Sequence, residues 1–179
     1  MSLGKKVFAA CVALVISAST LAWDPREVGK LSKGAEEAKS QLLSDDPSMQ
    51  AFFDSAAAYV VIPTVGKAGF GIGGARGKGL LFEGGEPSGI VTLTQLTIGF
   101  QWGGQAYSEF LFFENAAALE HFKAGNYELG AQASAVAVTV GASADANYSN
   151  GVAIFTRAKG GLMYEASVGG QKFSVDLSD

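Results

Sequence analysis

Residues 67–78 read Lys67-Ala68-Gly69-Phe70-Gly71-Ile72-Gly73-Gly74-Ala75-Arg76-Gly77-Lys78, and Gly79 follows at once. A tract this rich in glycine is either a phosphate loop or backbone that must fit where a side chain cannot. Gly69, Gly71 and Gly74 formally satisfy the spacing GxGxxG. A dinucleotide loop, however, follows a strand and opens a helix, with an acidic residue about 20 positions later. This tract runs into Gly79-Leu80-Leu81-Phe82, which reads as a strand. A phosphate loop of the GxxxxGK[ST] type fails too. With Lys78 as its lysine, Ile72 would stand at the first glycine position and Gly79 at the hydroxyl position. What survives is a tight β-hairpin whose glycines permit sharp curvature or close packing.

Outward from the tract, the hydrophobic period differs on the two sides. On the N-terminal side it is helical. Asp24-Pro25-Arg26-Glu27 is a helix start, with a capping carboxylate and a proline where no donor is needed. The helix it predicts spans 25–43, with Val28, Leu31, Ala35, Ala38 and Leu42 on its apolar face. Arg26, Lys30, Lys33 and Lys39 fall on its polar side. Asp46-Pro47 repeats the signal and predicts a second helix over 47–58.

From Tyr59 onward the period is two. Strands are expected over 59–62, stopped by Pro63, then 68–73, 79–82, 90–102, 106–113, 127–140, 143–148, 152–157, 162–168 and 172–177. One short helix over 114–123 interrupts them and ends at Gly125. Glycine pairs mark the turns, and Asn150-Gly151 is the strongest hairpin signal because both positions tolerate positive φ. Helices followed by strands give an α+β fold: N-terminal helices, then a curved antiparallel β-sheet or barrel-like sandwich with one short interior helix.

The first 22 residues read as a secretory signal peptide: Lys5 and Lys6, an apolar run over 7–16, and Ala22 at the cut. The run is shorter than the roughly 20 residues a spanning helix needs. The expected segments are therefore 1–22 as leader, 23–58 as a helical segment and 59–179 as a β-rich domain, the last two forming one globular unit. Cys11 is the sole cysteine and falls in the leader, so the mature chain is expected to have no disulfide or thiolate chemistry. Removing the leader leaves 11 basic against 17 acidic side chains, a net charge of −6. Such a chain is a poor nucleic-acid ligand, and an anionic partner would need a local basic cluster.

No catalytic or metal-binding constellation stands out. His121 is the single histidine and has no second one to share a metal or relay. No GxSxG occurs. Glu109, Glu114 and Glu120 are carboxylates that strand and helix surfaces group routinely. The cations, by contrast, cluster: Arg26, Lys30 and Lys33 on the first helix, Lys67, Arg76 and Lys78 about the glycine tract, and Arg157 and Lys159 beside Gly160-Gly161. Two glycine turns brought together could join Arg76, Lys78, Arg157 and Lys159 in one anion site with free backbone N–H groups.

Three stretches carry a family resemblance. They are Ala58-Tyr59-Val60-Val61-Ile62-Pro63 running on to the tract at 67–79, Ile98-Gly99-Phe100-Gln101-Trp102-Gly103-Gly104-Gln105, and Ile154-Phe155-Thr156-Arg157-Ala158-Lys159-Gly160-Gly161-Leu162. In this order they resemble the SYLF domain, the lipid-binding domain of fungal and animal endocytic adaptors, which also has secreted bacterial members. The resemblance implies non-enzymatic binding of anionic phospholipid headgroups without a cofactor. Lys67, Arg76, Lys78, Arg157 and Lys159 would be the headgroup ligands, and Arg26, Lys30 and Lys33 would face the membrane. Some fungal members bind actin, but a secreted setting argues against actin and phosphoinositides as partners. The expected location is the periplasm or cell envelope. Two alternatives stay open: an envelope structural or protein-interaction domain without a lipid ligand, and a small outer-membrane β-barrel.

Overall fold

A computed structural model describes residues 23–99, 105–125, 127–130, 133–141, 146–159 and 166–178. The leader and the glycine pairs Gly103-Gly104 and Gly160-Gly161 lie outside these residues. Helix α1 spans Pro25–Asp45, a 3₁₀ turn follows at Pro47–Met49, and α2 spans Gln50–Ser55. Both proline starts behave as capping chemistry requires. The Asp24 carboxylate accepts from Arg26 N at 2.9 Å, and that of Asp46 from Ser48 N at 3.1 Å.

The strands are β1 (Ala58–Glu83), β2 (Glu86–Gly99), β3 (Gln105–Phe113), β4 (Tyr127–Glu128), β5 (Ser134–Ala137), β6 (Val152–Ala158), β7 (Ala166–Ser167) and β8 (Gln171–Leu177). Helix α3 (Ala116–Lys123) lies between β3 and β4, capped by Asn115, whose side chain accepts from Ala118 N. The sheet order is β4-β8-β2-β1-β3-β6-β5-β7, and the sheet curls into a half-barrel. Its pairing is antiparallel except for β5 against β6, which run parallel. The fold is the expected α+β class with a curved sheet, mixed only at that pair among the described strands.

Each face of the sheet carries its own core. The inner one takes Val60, Ile62, Leu111, Phe113 and Phe173, and α3 closes it with Leu119 and Phe122. The outer one takes Val61, Phe110, Phe112 and Phe155, covered by Ala35, Ala38 and Leu42 of α1 with Phe52 and Phe53 of α2. Strand β3 is buried from Tyr107 to Phe113 for this reason: alternate residues feed opposite cores.

The glycine tract is not a hairpin. Residues 58–83 form one continuous strand of 26 residues, whose first half pairs with β3 and whose second half pairs with β2. Pro63 does not stop it, because an irregularity between Ile62 and Val65 absorbs the missing donor. The turn comes later, at Gly84-Gly85, where φ is +59° and +89°. Gly77 and Gly79 serve close packing. A Cβ on Gly79 would lie 2.1 Å from Val61 O and 2.7 Å from Ile62 Cα. One on Gly77 would lie 2.7 Å from Ile62 Cγ2 and 3.0 Å from Thr64 O. The second half of β1 therefore presses against the backbone of its own first half.

Other boundaries moved as well. The strand expected over 127–140 is split into β4 and β5. Of that expected over 143–148, the described part at 146–148 is irregular, and of that over 162–168 only 166–168 is described. Asn150-Gly151 forms the expected turn, with φ of +52° and +78°.

Gly79→Val is expected to destabilise the protein by roughly 3 kcal/mol or more, since backbone rather than a flexible side chain must yield. Gly66→Ala, on the same strand with nothing within 4 Å, should stay within about 0.5 kcal/mol. Urea unfolding of the pair checks this, and equal midpoints would refute the crossing.

Candidate functional site

Steps of four and three residues put Arg26, Lys30 and Lys33 on one ridge of α1. At about 100° per residue, that ridge stands opposite the one carrying the buried Ala35, Ala38 and Leu42. All three cations are exposed. Lys39 leaves this set: its ammonium sits over the Phe53 ring at 4.1 Å from the centroid, anchoring α1 to α2.

Two ion pairs fasten α1 along its length. Lys78 Nζ on β1 lies 2.7 Å from Glu27 Oε1, in the first turn. At the far end, Arg157 Nε on β6 lies 2.6 Å from Asp45 Oδ2, and its Nη1 donates to Gln41 Oε1 at 3.1 Å. Glu27 and Asp45 are 18 residues apart, which is about 27 Å of helix at 1.5 Å per residue. Lys78 and Arg157 thus bind partners at opposite ends of α1.

The remaining candidates divide similarly. Lys159 Nζ donates to Thr64 Oγ1 at 2.7 Å. Lys67 stands on the other face of β1, the side of buried Val65, by strand alternation. It is half-buried, and desolvation lowers its ammonium pKa. Arg76 is exposed opposite Thr94 of β2, two residues along from Lys78 and on the same face. Among the described residues, Arg26, Lys30, Lys33 and Arg76 make no salt bridge. The cations that share a surface are therefore those of the N-terminal half of α1 together with Arg76 and Lys78.

Leu96 belongs beside this set and was missed. It is 75% exposed, pairs with Gly74, and follows Thr92 and Thr94 in the same phase of β2. The signal was a phase in which polar residues give way to an apolar one.

Inside the half-barrel lies a second group of polar residues. Glu109 shares its face of β3 with Tyr107 and Leu111 and is wholly buried. Gln171 Nε2 on β8 donates to Glu109 Oε2 at 3.0 Å and to the Tyr107 hydroxyl at 3.3 Å. That contact spans the barrel interior, because β2 and β1 lie between β8 and β3 in the sheet. Burial raises the Glu109 carboxyl to about 8, partly opposed by the Gln171 hydrogen bond. Burial likewise raises the Tyr107 phenol, with the Glu109 charge adding to it. The three carboxylates grouped from sequence are thus separated: Glu109 is internal, Glu114 is exposed after β3, and Glu120 pairs with Lys123 on α3.

Two comparisons bear on these features. Residues 94–178 match the family model described as "Ysc84: Las17-binding protein actin regulator". The match runs from Thr94 within β2 to the end of β8 and leaves out α1 and β1. The chain is also similar to Beta cell expansion factor A of Aeromonas veronii, at 27% identity over 154 residues. The alignment covers 79% of this chain and 54% of that protein, so the chain spans about half the length of this curated relative.

Because folding raises the Glu109 pKa from 4.5 to about 8, the folded state holds more protons than the unfolded state between those values. Stability from this group is complete below about pH 4.5 and is lost as pH rises to about 8, by an amount on the order of a few kcal/mol. In sodium-free buffer, Glu109→Gln should flatten this slope and exceed the parent in stability at about pH 8. Urea unfolding across that range tests it, and parallel slopes for both proteins would overturn the assignment.

Proposed function

The chain belongs to the SYLF family, and on that premise we propose that it docks on anionic phospholipid headgroups through the N-terminal half of α1 and the adjoining face of β1 and β2. The observation that carries this reading is the ridge of Arg26, Lys30 and Lys33, exposed and without salt bridges among the described residues, beside Arg76. On an otherwise acidic chain such a ridge is a local positive field. Each cation at an anionic surface contributes about 1 kcal/mol. Leu96, one rung from Arg76, offers an apolar contact at the same surface. Lys78 reaches this surface while holding Glu27, whereas Arg157 and Lys159 serve mainly to position α1 and β1.

SYLF domains are not a known enzyme family, and the reading here is of binding without catalysis. The leader-like start favours an envelope or secreted location. For that reason the lipid binding of the family is carried over and the actin regulation in its description is not. Against the outer-membrane barrel, the outer face of β1, β3 and β6 is covered by α1 and α2 rather than left for lipid.

Co-sedimentation with vesicles of phosphatidylglycerol in phosphatidylcholine tests the proposal. Arg26→Gln, Lys30→Gln and Lys33→Gln combined should weaken binding by roughly two orders of magnitude at low salt. Arg157→Gln should leave it within about threefold, since that side chain faces α1. Equal recovery on neutral and anionic vesicles, insensitive to salt, would sink the idea.

A further inference from the structure

The interior polar group holds more acceptors than donors. Glu109 Oε1, Gln171 Oε1 and Thr156 Oγ1 are fully buried and have no hydrogen-bond partner. Thr156 on β6 is the register partner of Glu109 on β3 and shares its inner face. Gln171 is within hydrogen-bond distance of the same carboxylate from across the barrel. With Glu109 ionised, two of the three orphans can only accept, and both amide N–H donors of Gln171 are already spent, one on Glu109 and one on Tyr107. Burying a carboxylate with no positive neighbour costs far more than burying a paired one.

We propose that Glu109, Gln171 and Thr156 form an internal site for a small monovalent cation, sodium in the first instance, bridging β3, β6 and β8. Carboxylate, amide carbonyl and hydroxyl are hard oxygen donors, which suit alkali and alkaline-earth ions rather than zinc or copper. A single carboxylate balances a single charge. Calcium would leave a buried positive charge, and magnesium would demand six regular ligands or retained waters. Among the described residues no group of three or more His, Cys, Asp or Glu side chains converges to hold a metal, and of the three orphaned oxygens only that of Glu109 carries a charge.

The cation competes with a proton. The groups facing Glu109 are Tyr107 on its own strand, Gln171 from β8 and Thr156 from β6, while β1 places Ile62 in register. Of these only Tyr107 titrates, and it stays protonated through neutral pH. A ligating carboxylate must lose its proton, so occupancy should rise with pH.

Thermal unfolding of the full chain in sodium chloride and in choline chloride at equal ionic strength tests the site, since screening is then the same in both. At about pH 9 the midpoint should be higher in sodium, rising by a constant step for each tenfold increase in its concentration. Glu109→Gln should abolish it. Thr156→Val, which keeps the carboxylate and removes one oxygen, should reduce it. Identical midpoints in the two salts at about pH 9 would overturn the proposal, as would an undiminished difference in Glu109→Gln. A larger step from calcium than from sodium would overturn the monovalent assignment.

Discussion

The close approach of β1 to itself is the constraint on which the rest of the fold depends. With hydrogen at Cα, Gly77 and Gly79 let the second half of the strand lie against Val61, Ile62 and Thr64. One strand can then pair with β3 along its first half and with β2 along its second. The sheet curls there because a single backbone serves both partners. Curling creates an inside for Tyr107, Glu109 and Gln171 and an outside broad enough for α1. A methyl group at Gly79 would meet a carbonyl oxygen, and backbone yields much less readily than a side-chain tip.

Electrostatics on the outer face follow from where α1 is fastened. Lys78 and Arg157 draw acidic partners from its first and last turns, which leaves the outward ridge free of salt bridges among the described residues. The same helix is thus a structural cover on one side and a basic surface on the other. Surface ion pairs of this kind are worth little singly, about 0–1 kcal/mol, so the apolar seam of Ala35, Ala38 and Leu42 carries the docking energy. The pairs set the orientation of the helix and thereby the direction of its cationic ridge.

Inside the half-barrel, polar burial serves specificity more than stability. A hydrogen bond from β8 to β3 passes over two intervening strands and fixes how far the sheet curls. An apolar pair would pack there at lower electrostatic cost. The retained carboxylate makes the barrel interior sensitive to protons and, on the proposal above, to cations.

Much of this was legible in the chain itself. Asp24-Pro25 and Asp46-Pro47 announce helix starts because capping is local chemistry, and Asn150-Gly151 announces its turn because positive φ is a property of those residues. The order of helices before strands, and hence the α+β class, needs only the change of hydrophobic period. Other features required the tertiary structure. The glycine tract has the composition of a hairpin, and only contact between residues 61–65 and 77–79 shows it to be a crossing within one strand. Arg76, Lys78, Arg157 and Lys159 look alike in sequence, yet Glu27, Asp45 and Thr64, all distant along the chain, decide which are engaged. Glu109 reads as an ordinary strand carboxylate, and its burial depends on β8, more than 60 residues later. Local preference acts over a few residues, whereas burial and pairing depend on partners that only folding brings near.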